Sequence, residues 1–415
     1  MQQLRDIIIL KGLQNLAGKS NHEEFCLPLR PKSIVFFLIV TLLAIIVRYI
    51  GRDVISQDME LAFLPWFVTM KNGGGLNALN KQVGDYSLLY QTIVACLTYI
   101  DANPVYLYKI ISVLFDFLIA FSVLYFSVNC FVGSSNAKVN KKRNLCLSYA
   151  CVILLPTMVM NSAYWGQCDS LYTFFLLWSI WFLYKESYPL SFFALGCSLA
   201  FKLQAILLLP LFVYAYFSKR NIHLFNIIIA AITFWLSGIV VYICRQNLFA
   251  NIEIYSNQVT MFKRMWMNVP SFWFFITVDY NKFYLVAIGL TLLILGIGLL
   301  LVINGRKKMN TFEQIIELAV FIEWTCIIFL PAMHDRYTYV LDLLLLILAI
   351  VVGRKYFSYT LVATITSTIT YISYLFTGQV LLNSWIVFLY ILTWLYYSYN
   401  LFFCSTNKYC YPTSA

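Results

Sequence analysis

Five short clusters in this 415-residue chain carry side chains able to do chemistry, and each lies where an apolar run ends or breaks. They are Ser56-Gln57-Asp58, Gly84-Asp85-Tyr86, Trp165-Gly166-Gln167-Cys168-Asp169-Ser170, Lys202-Leu203-Gln204 and Met333-His334-Asp335-Arg336-Tyr337. A carboxylate placed beside a hydroxyl takes up its proton as the oxygen attacks, and fixed cations neutralise a phosphate as it departs. Acids, one Lys, one Arg and one His from five separated segments therefore suit transfer of a sugar from a lipid-linked donor. Each cluster also has a plain alternative. Lone loop acids such as Asp53 and Asp101 are ordinarily just solvated, Trp165 fits an interface anchor, Lys202 can snorkel, and His334 and Arg336 can cap a helix end. Convergence on one face of one membrane favours a site over five separate accidents.

The elements that must position these residues follow from composition. Hydrophobic residues make up 61% of the chain and charged residues 11%, against roughly a quarter charged in soluble domains. This excludes a soluble cytosolic enzyme and a disordered tail, and places the chain in a lipid bilayer. The net charge of +11 resides largely in short loops between apolar runs, where it sets orientation, so no nucleic-acid partner is expected. The eleven cysteines include no C-x-x-C pair and read as small buried hydrophobes rather than metal ligands or disulfides. With no G-x-G-x-x-G turn and no P-loop, no cofactor and no metal are expected.

The expected fold is an all-α polytopic integral membrane protein. Apolar runs place spans at about 33–50, 104–131, 145–161, 170–184, 189–201, 203–217, 222–244, 283–303, 312–331, 337–352, 356–376 and 381–404, twelve in all. The runs 189–201 and 203–217 are too short to cross upright and are expected to meet as broken or tilted helices lining a cavity. Residues 1–32 and 405–415 are expected as cytoplasmic ends of a single transmembrane domain over 33–404. Lys and Arg fall about twice as often in one set of loops (Lys138, Lys141, Lys142, Arg143, Arg306, Lys307 and Lys308 among them) as in the other. Both termini are then cytoplasmic, and the long first outer loop, 51–103, carries interfacial helices over Leu61–Met70 and Tyr86–Ile100. A second outer segment, 245–282, is also amphipathic. Long aromatic and polar outer loops place the active site on the extracytoplasmic side of the cell membrane.

The run Ser56-Gln57-Asp58, Phe63-Leu64-Pro65-Trp66 and Gly73-Gly74-Gly75, then Gly84-Asp85-Tyr86, Trp165-Gly166-Gln167-Cys168-Asp169-Ser170-Leu171-Tyr172, Phe201-Lys202-Leu203-Gln204-Ala205 and Met333-His334-Asp335-Arg336-Tyr337 resembles the bacterial GT-C glycosyltransferases related to the GPI-anchor mannosyltransferase PIG-V. The resemblance covers about residues 33 to 350. It implies an inverting membrane enzyme with a polyprenyl-phosphate sugar donor, a glycan, lipid or cell-surface acceptor, and an essential acid in the first outer loop. That acid falls on Asp58, which precedes the Phe-Leu-Pro-Trp run and heads a helix whose dipole favours a carboxylate. Asp85, Tyr86, Trp165, Gln167, Asp169 and Gln204 are expected to bind substrate. Lys202, His334, Arg336 and Tyr337 are expected to hold the donor phosphate. The chain departs from the family where Ser87-Leu88-Leu89 follow Tyr86 in place of prolines. The stretch Asn268-Val269-Pro270-Ser271-Phe272-Trp273 also resembles a family loop.

Two other classes compete. A transporter or flippase of lipid-linked sugars would use twelve spans and a polar cavity, but such carriers tend to show internal repeats and ionisable groups at mid-membrane. No clear repeat is present here, and the deeper acids of the spans, Asp116, Glu323 and Asp342, are read as partners of the outer cations. A membrane-bound acyltransferase would need a His as base, and His334 lies in a charged cluster better suited to phosphate.

Overall fold

Among the residues described by the computed structural model, 31–131, 138–219, 221–245, 247–304 and 310–404, every regular element is a helix. The expected ends 1–30 and 405–415, and several loop cations including Arg220 and Arg306, lie outside the described residues. Ser33–Gly51, Pro104–Cys130, Tyr280–Asn304 and Ser384–Phe403 are each long and apolar enough to cross a membrane. Two further apolar helices are bent, Cys146–Ile153 with Pro156–Trp165 by 47° and Leu224–Leu236 with Ile239–Arg245 by 49°. The structure thus carries four such helices, or six with each bent pair taken as one span, which is fewer than the twelve expected. The remaining expected spans are helical. They are shorter, as in Tyr188–Phe201 and Tyr339–Val351, or carry several acids, as Glu313, Glu317 and Glu323 do in Phe312–Phe329.

Burial sorts these helices into an inner and an outer set. Phe312–Phe329, Tyr339–Val351 and Asp169–Tyr184 bury most of their length, whereas Ser33–Gly51 and Tyr280–Asn304 expose rows such as Leu38, Leu42 and Ile45, or Leu285, Leu292 and Leu300. Rows of bare aliphatic side chains belong against lipid tails. Inside the bundle, association relies on close contact and polar pairs rather than on the hydrophobic effect. Gly196 provides the close contact: a Cβ there would stand 2.6 Å from the Ala230 carbonyl of the neighbouring helix Leu224–Leu236.

Two cations inside the expected spans anchor the first loop. Arg48 donates to Asp116 Oδ2 at 2.8 and 3.1 Å, and Ser162 donates to the same oxygen at 2.5 Å. Asp116 therefore pairs with a cation of its own depth rather than with an outer one. Lys109 Nζ donates to the carbonyls of Gly51, Arg52 and Val54 at 2.9, 3.1 and 2.6 Å. Those carbonyls close the first helix and begin the segment leading to Asp58, and would otherwise be orphaned at the helix end.

Candidate functional site

Three of the helices that meet near Asp58 are locally wound as π-turns, at Met59–Phe63, Met160–Trp165 and Ser373–Thr377. A π-turn holds one extra residue, so it re-aims the side chains next to it, and such turns recur at functional sites. Here the first follows Asp58, the second ends on Trp165 and the third contains Tyr374. Ser56 starts the first of these helices: its hydroxyl accepts from Met59 N at 3.2 Å and donates to the Trp165 carbonyl at 2.9 Å. Asp58 thus lies in a first helical turn, where the dipole favours its charge. The chain reverses after Trp165 through Gly166, at φ 79°, where any Cβ would overlap the Met59 methyl group.

Asp58 is gripped from four sides. Its Oδ2 accepts from Trp165 Nε1 at 2.9 Å, from Gln167 Nε2 at 2.6 Å and from an Arg336 guanidinium nitrogen at 3.4 Å. Its Oδ1 accepts from the Tyr374 hydroxyl at 2.6 Å. Gln167 is oriented in turn, because its carbonyl oxygen accepts from Tyr86 at 2.6 Å. The Tyr374 ring stacks on Trp165 with centroids 4.1 Å apart and 15° between planes, and the Arg336 guanidinium lies 5.6 Å from the Trp165 ring. Burial pushes the Asp58 carboxyl up, but Arg336 and the hydrogen bonds from Tyr374 and Trp165 outweigh it and hold the group below the usual carboxylate value.

This carboxylate faces a cavity of about 640 Å³ whose lining includes Asp85, Tyr86, His334, Asp335, Arg336 and Tyr374, together with Trp66, Phe262 and Met267. One wall is the segment around Phe262–Asn268. It is tied on by Ala332 N donating to the Arg264 carbonyl at 3.1 Å and by a bridge between Met267 and His334. Burial raises the Asp85 carboxyl, and its Oδ1 is buried with no partner among the described residues. Burial also pushes Asp335 up to about 7. His334 is driven the other way: burial first, then repulsion from Arg336, lowers it to about 3. Its imidazole is therefore neutral at physiological pH, so it offers a neutral donor or acceptor where the sequence suggested a cation.

The structure therefore brings Asp58, Asp85, Tyr86, Trp165, Gln167, His334 and Arg336 to one place. Of these, Trp165 and Gln167 hold Asp58 without lining the cavity, and Lys202, Asp169, Gln204 and Tyr337 form a layer behind that does not line it either. Lys202 Nζ donates to Asp169 Oδ1 at 2.5 Å, and Asn161 donates to Asp169 Oδ2 at 2.7 Å. Gln204 donates to the Tyr337 hydroxyl at 2.6 Å. Lys202 does not snorkel, since its side chain is buried against this acid. Tyr374 and Asn161 are absent from the sequence reading because a single Tyr or Asn in an apolar run carries no spacing signal. Among the described residues, no three His, Cys, Asp or Glu side chains gather as a metal set would.

No protein-family model matches this chain, and no curated protein matches it. Each carboxylate oxygen has about two acceptor directions. Asp58 Oδ2 is saturated by three donors, whereas among the described residues Oδ1 has Tyr374 alone, and the side chain is 29% exposed at the cavity. One acceptor direction beside a guanidinium is thus open to a substrate hydroxyl.

Proposed function

We propose that this chain is an integral-membrane glycosyltransferase of the GT-C type, moving one sugar from a polyprenyl-phosphate donor to a glycan, lipid or cell-surface acceptor with inversion. The observation that carries the reading is the half-open Asp58 carboxylate held beside Arg336 in a cavity with both ionisable and aromatic walls. In the proposed step the acceptor oxygen attacks the anomeric carbon and its proton passes to Asp58 Oδ1. The bond from that carbon to the donor phosphate breaks, its electron pair stays on the phosphate oxygen, and the phosphodiester becomes a monoester. Arg336 offsets the charge gained by the phosphate. Trp66, Tyr86 and Tyr374 supply aromatic surface for a sugar ring, and Asp85 supplies an unsatisfied acceptor for one of its hydroxyls. In this reading the chain crosses the cell membrane twelve times with both termini in the cytoplasm, and the cavity opens on the extracytoplasmic side.

Activity is tested with the purified full chain and a panel of polyprenyl-phosphate hexoses. Asp58→Asn keeps the shape of the carboxylate and removes its basicity, and is expected to lower transfer by roughly two to four orders of magnitude while the protein stays folded. Wild-type rates in Asp58→Asn, Asp85→Asn and Asp169→Asn alike would sink the transferase in favour of a carrier of lipid-linked sugars. That rival draws on Glu323 and Asp342, buried within the bundle and unused by the site. Orientation is tested separately: a reporter at Lys142 is expected in the cytoplasm and one near Asn77 outside, and finding both on one side would overturn the topology.

A further inference from the structure

The cavity has more anion-binding capacity than Arg336 alone supplies. Arg264, on the wall segment, lines the same cavity, and its guanidinium has no ion pair or hydrogen bond among the described residues. Arg336 is only partly used: its Nε is buried with no partner among the described residues, and its contact with Asp58 is a long 3.4 Å. The other basic groups nearby are already spent, Lys202 on Asp169 and His334 by being neutral. Two arginines with open donors thus line one space. Around its mouth the apolar side chains of Leu61, Met261 and Phe262 are exposed.

From this we propose that Arg264 and Arg336 form a two-guanidinium clasp for a phosphate that carries an apolar tail, the phosphate seated between them and the tail leaving over Leu61, Met261 and Phe262. The assignment rests on the transferase reading only in naming the donor as the source of that phosphate. The physical basis is the planar guanidinium fork, which matches phosphate oxygens two at a time where an ammonium offers a point charge. Wall and site are coupled by backbone: Ala332, four residues before Arg336, donates to the carbonyl of Arg264, so the two arginines are held on linked segments. Because that bond uses the main chain, removing the Arg264 side chain leaves the wall docked.

The test is titration of the detergent-purified full chain with dodecyl phosphate and, separately, inorganic phosphate. Wild type is expected to bind dodecyl phosphate saturably and inorganic phosphate at least about tenfold more weakly. Arg264→Ala is expected to weaken dodecyl phosphate binding by about tenfold or more, the usual scale for a charge-assisted hydrogen bond, with Arg264→Lys in between. Lys263→Ala, which alters an exposed neighbour outside the cavity, should bind as wild type does. Unchanged binding in Arg264→Ala overturns the clasp, as does an equal loss in Lys263→Ala, which would mean a general surface-charge effect. Equal affinity for the two phosphates overturns the tail. If Arg264→Ala loses binding while no donor yields sugar transfer, the clasp stands and the transferase falls. If transfer proceeds with the Arg264→Ala KM and binding unchanged, the reverse holds.

Discussion

Two carboxylate–cation pairs near this site, Asp58 with Arg336 and Asp169 with Lys202, look alike in the sequence and differ in the fold. Asp169 and Lys202 are 1% and 7% exposed at 2.5 Å, with the second carboxylate oxygen taken by Asn161. Asp58 and Arg336 are 29% and 12% exposed at 3.4 Å, with donors left over on the arginine and an acceptor direction left over on the acid. A pair buried behind the cavity, with both carboxylate oxygens taken, is out of a substrate's reach, and its role is to hold helices in register. A loose pair at a cavity wall keeps its charge available. The difference teaches that the number of charged residues converging at one end of a bundle does not identify the working ones; incomplete hydrogen bonding at a solvent-reached surface does.

The largest effects should fall on opposite readouts for the two pairs. Lys202→Met leaves Asp169 buried and uncompensated, and is expected to cost roughly 3–5 kcal/mol of stability, seen as a lower thermal midpoint and poor yield. The double change Lys202→Met with Asp169→Leu should recover much of that loss, since apolar residues of similar volume often replace a buried pair at little cost. Asp58→Asn should do the converse, leaving the protein folded and lowering transfer by roughly two to four orders of magnitude. If Lys202→Met folds normally and fails only in donor binding, the layer behind the cavity is part of the site and the contrast collapses.

How much of this was legible in the sequence depends on the kind of signal each residue carries. The apolar runs announced the helices, and the five polar clusters interrupting them marked the ends that meet. Trp165, Gln167 and Asp58 were readable because they recur in short dense clusters. The number of crossings was not, because an apolar run looks the same whether it traverses lipid, bends by 47° as Cys146–Ile153 and Pro156–Trp165 do, or packs inside the bundle. Lys202 was readable as costly in lipid but not as already paired, since its partner lies 33 residues away. Arg48 and Lys109 carry no legible role in the sequence, because their acceptors, Asp116 and three loop carbonyls, are distant or main-chain groups. Tyr374 is the extreme case: 316 residues separate it from the carboxylate it binds.

Tyr374 offers a finer test of the open pair. Tyr374→Phe retains the ring on Trp165 and removes the hydroxyl that donates to Asp58 Oδ1. That bond is one of the causes holding Asp58 low, so its loss should raise the Asp58 pKa. The acid limb of the transfer–pH profile is expected to move to higher pH, with a change of only a few-fold in the rate at neutral pH. A purely structural role would instead lower the thermal midpoint and leave the limb where it was.

The smallest expected effect separates Asp335 from its neighbours by pH. Its folded pKa is about 7, above the ordinary carboxylate value, so between about pH 4 and 7 the native state keeps a proton that the unfolded chain has released. Stability contributed by this group therefore falls as pH rises through that window and levels off above it. Asp58, held low, contributes stability that is complete above the ordinary carboxylate value and is lost only as pH falls through its folded pKa, so it is flat over most of the same range. His334, lowered to about 3, works against Asp335: the unfolded chain binds the extra proton between about pH 3 and 6.5, so stability from the imidazole rises with pH there. The wild-type profile mixes these slopes, and the difference between wild type and Asp335→Asn isolates one of them. Thermal midpoints at a fixed scan rate should show Asp335→Asn gaining on wild type as pH goes from 5 to 7.5. A difference that is constant across that range would mean Asp335 is already ionised at pH 5 and pairs with Arg336, which would make the open arginine less open than its geometry indicates.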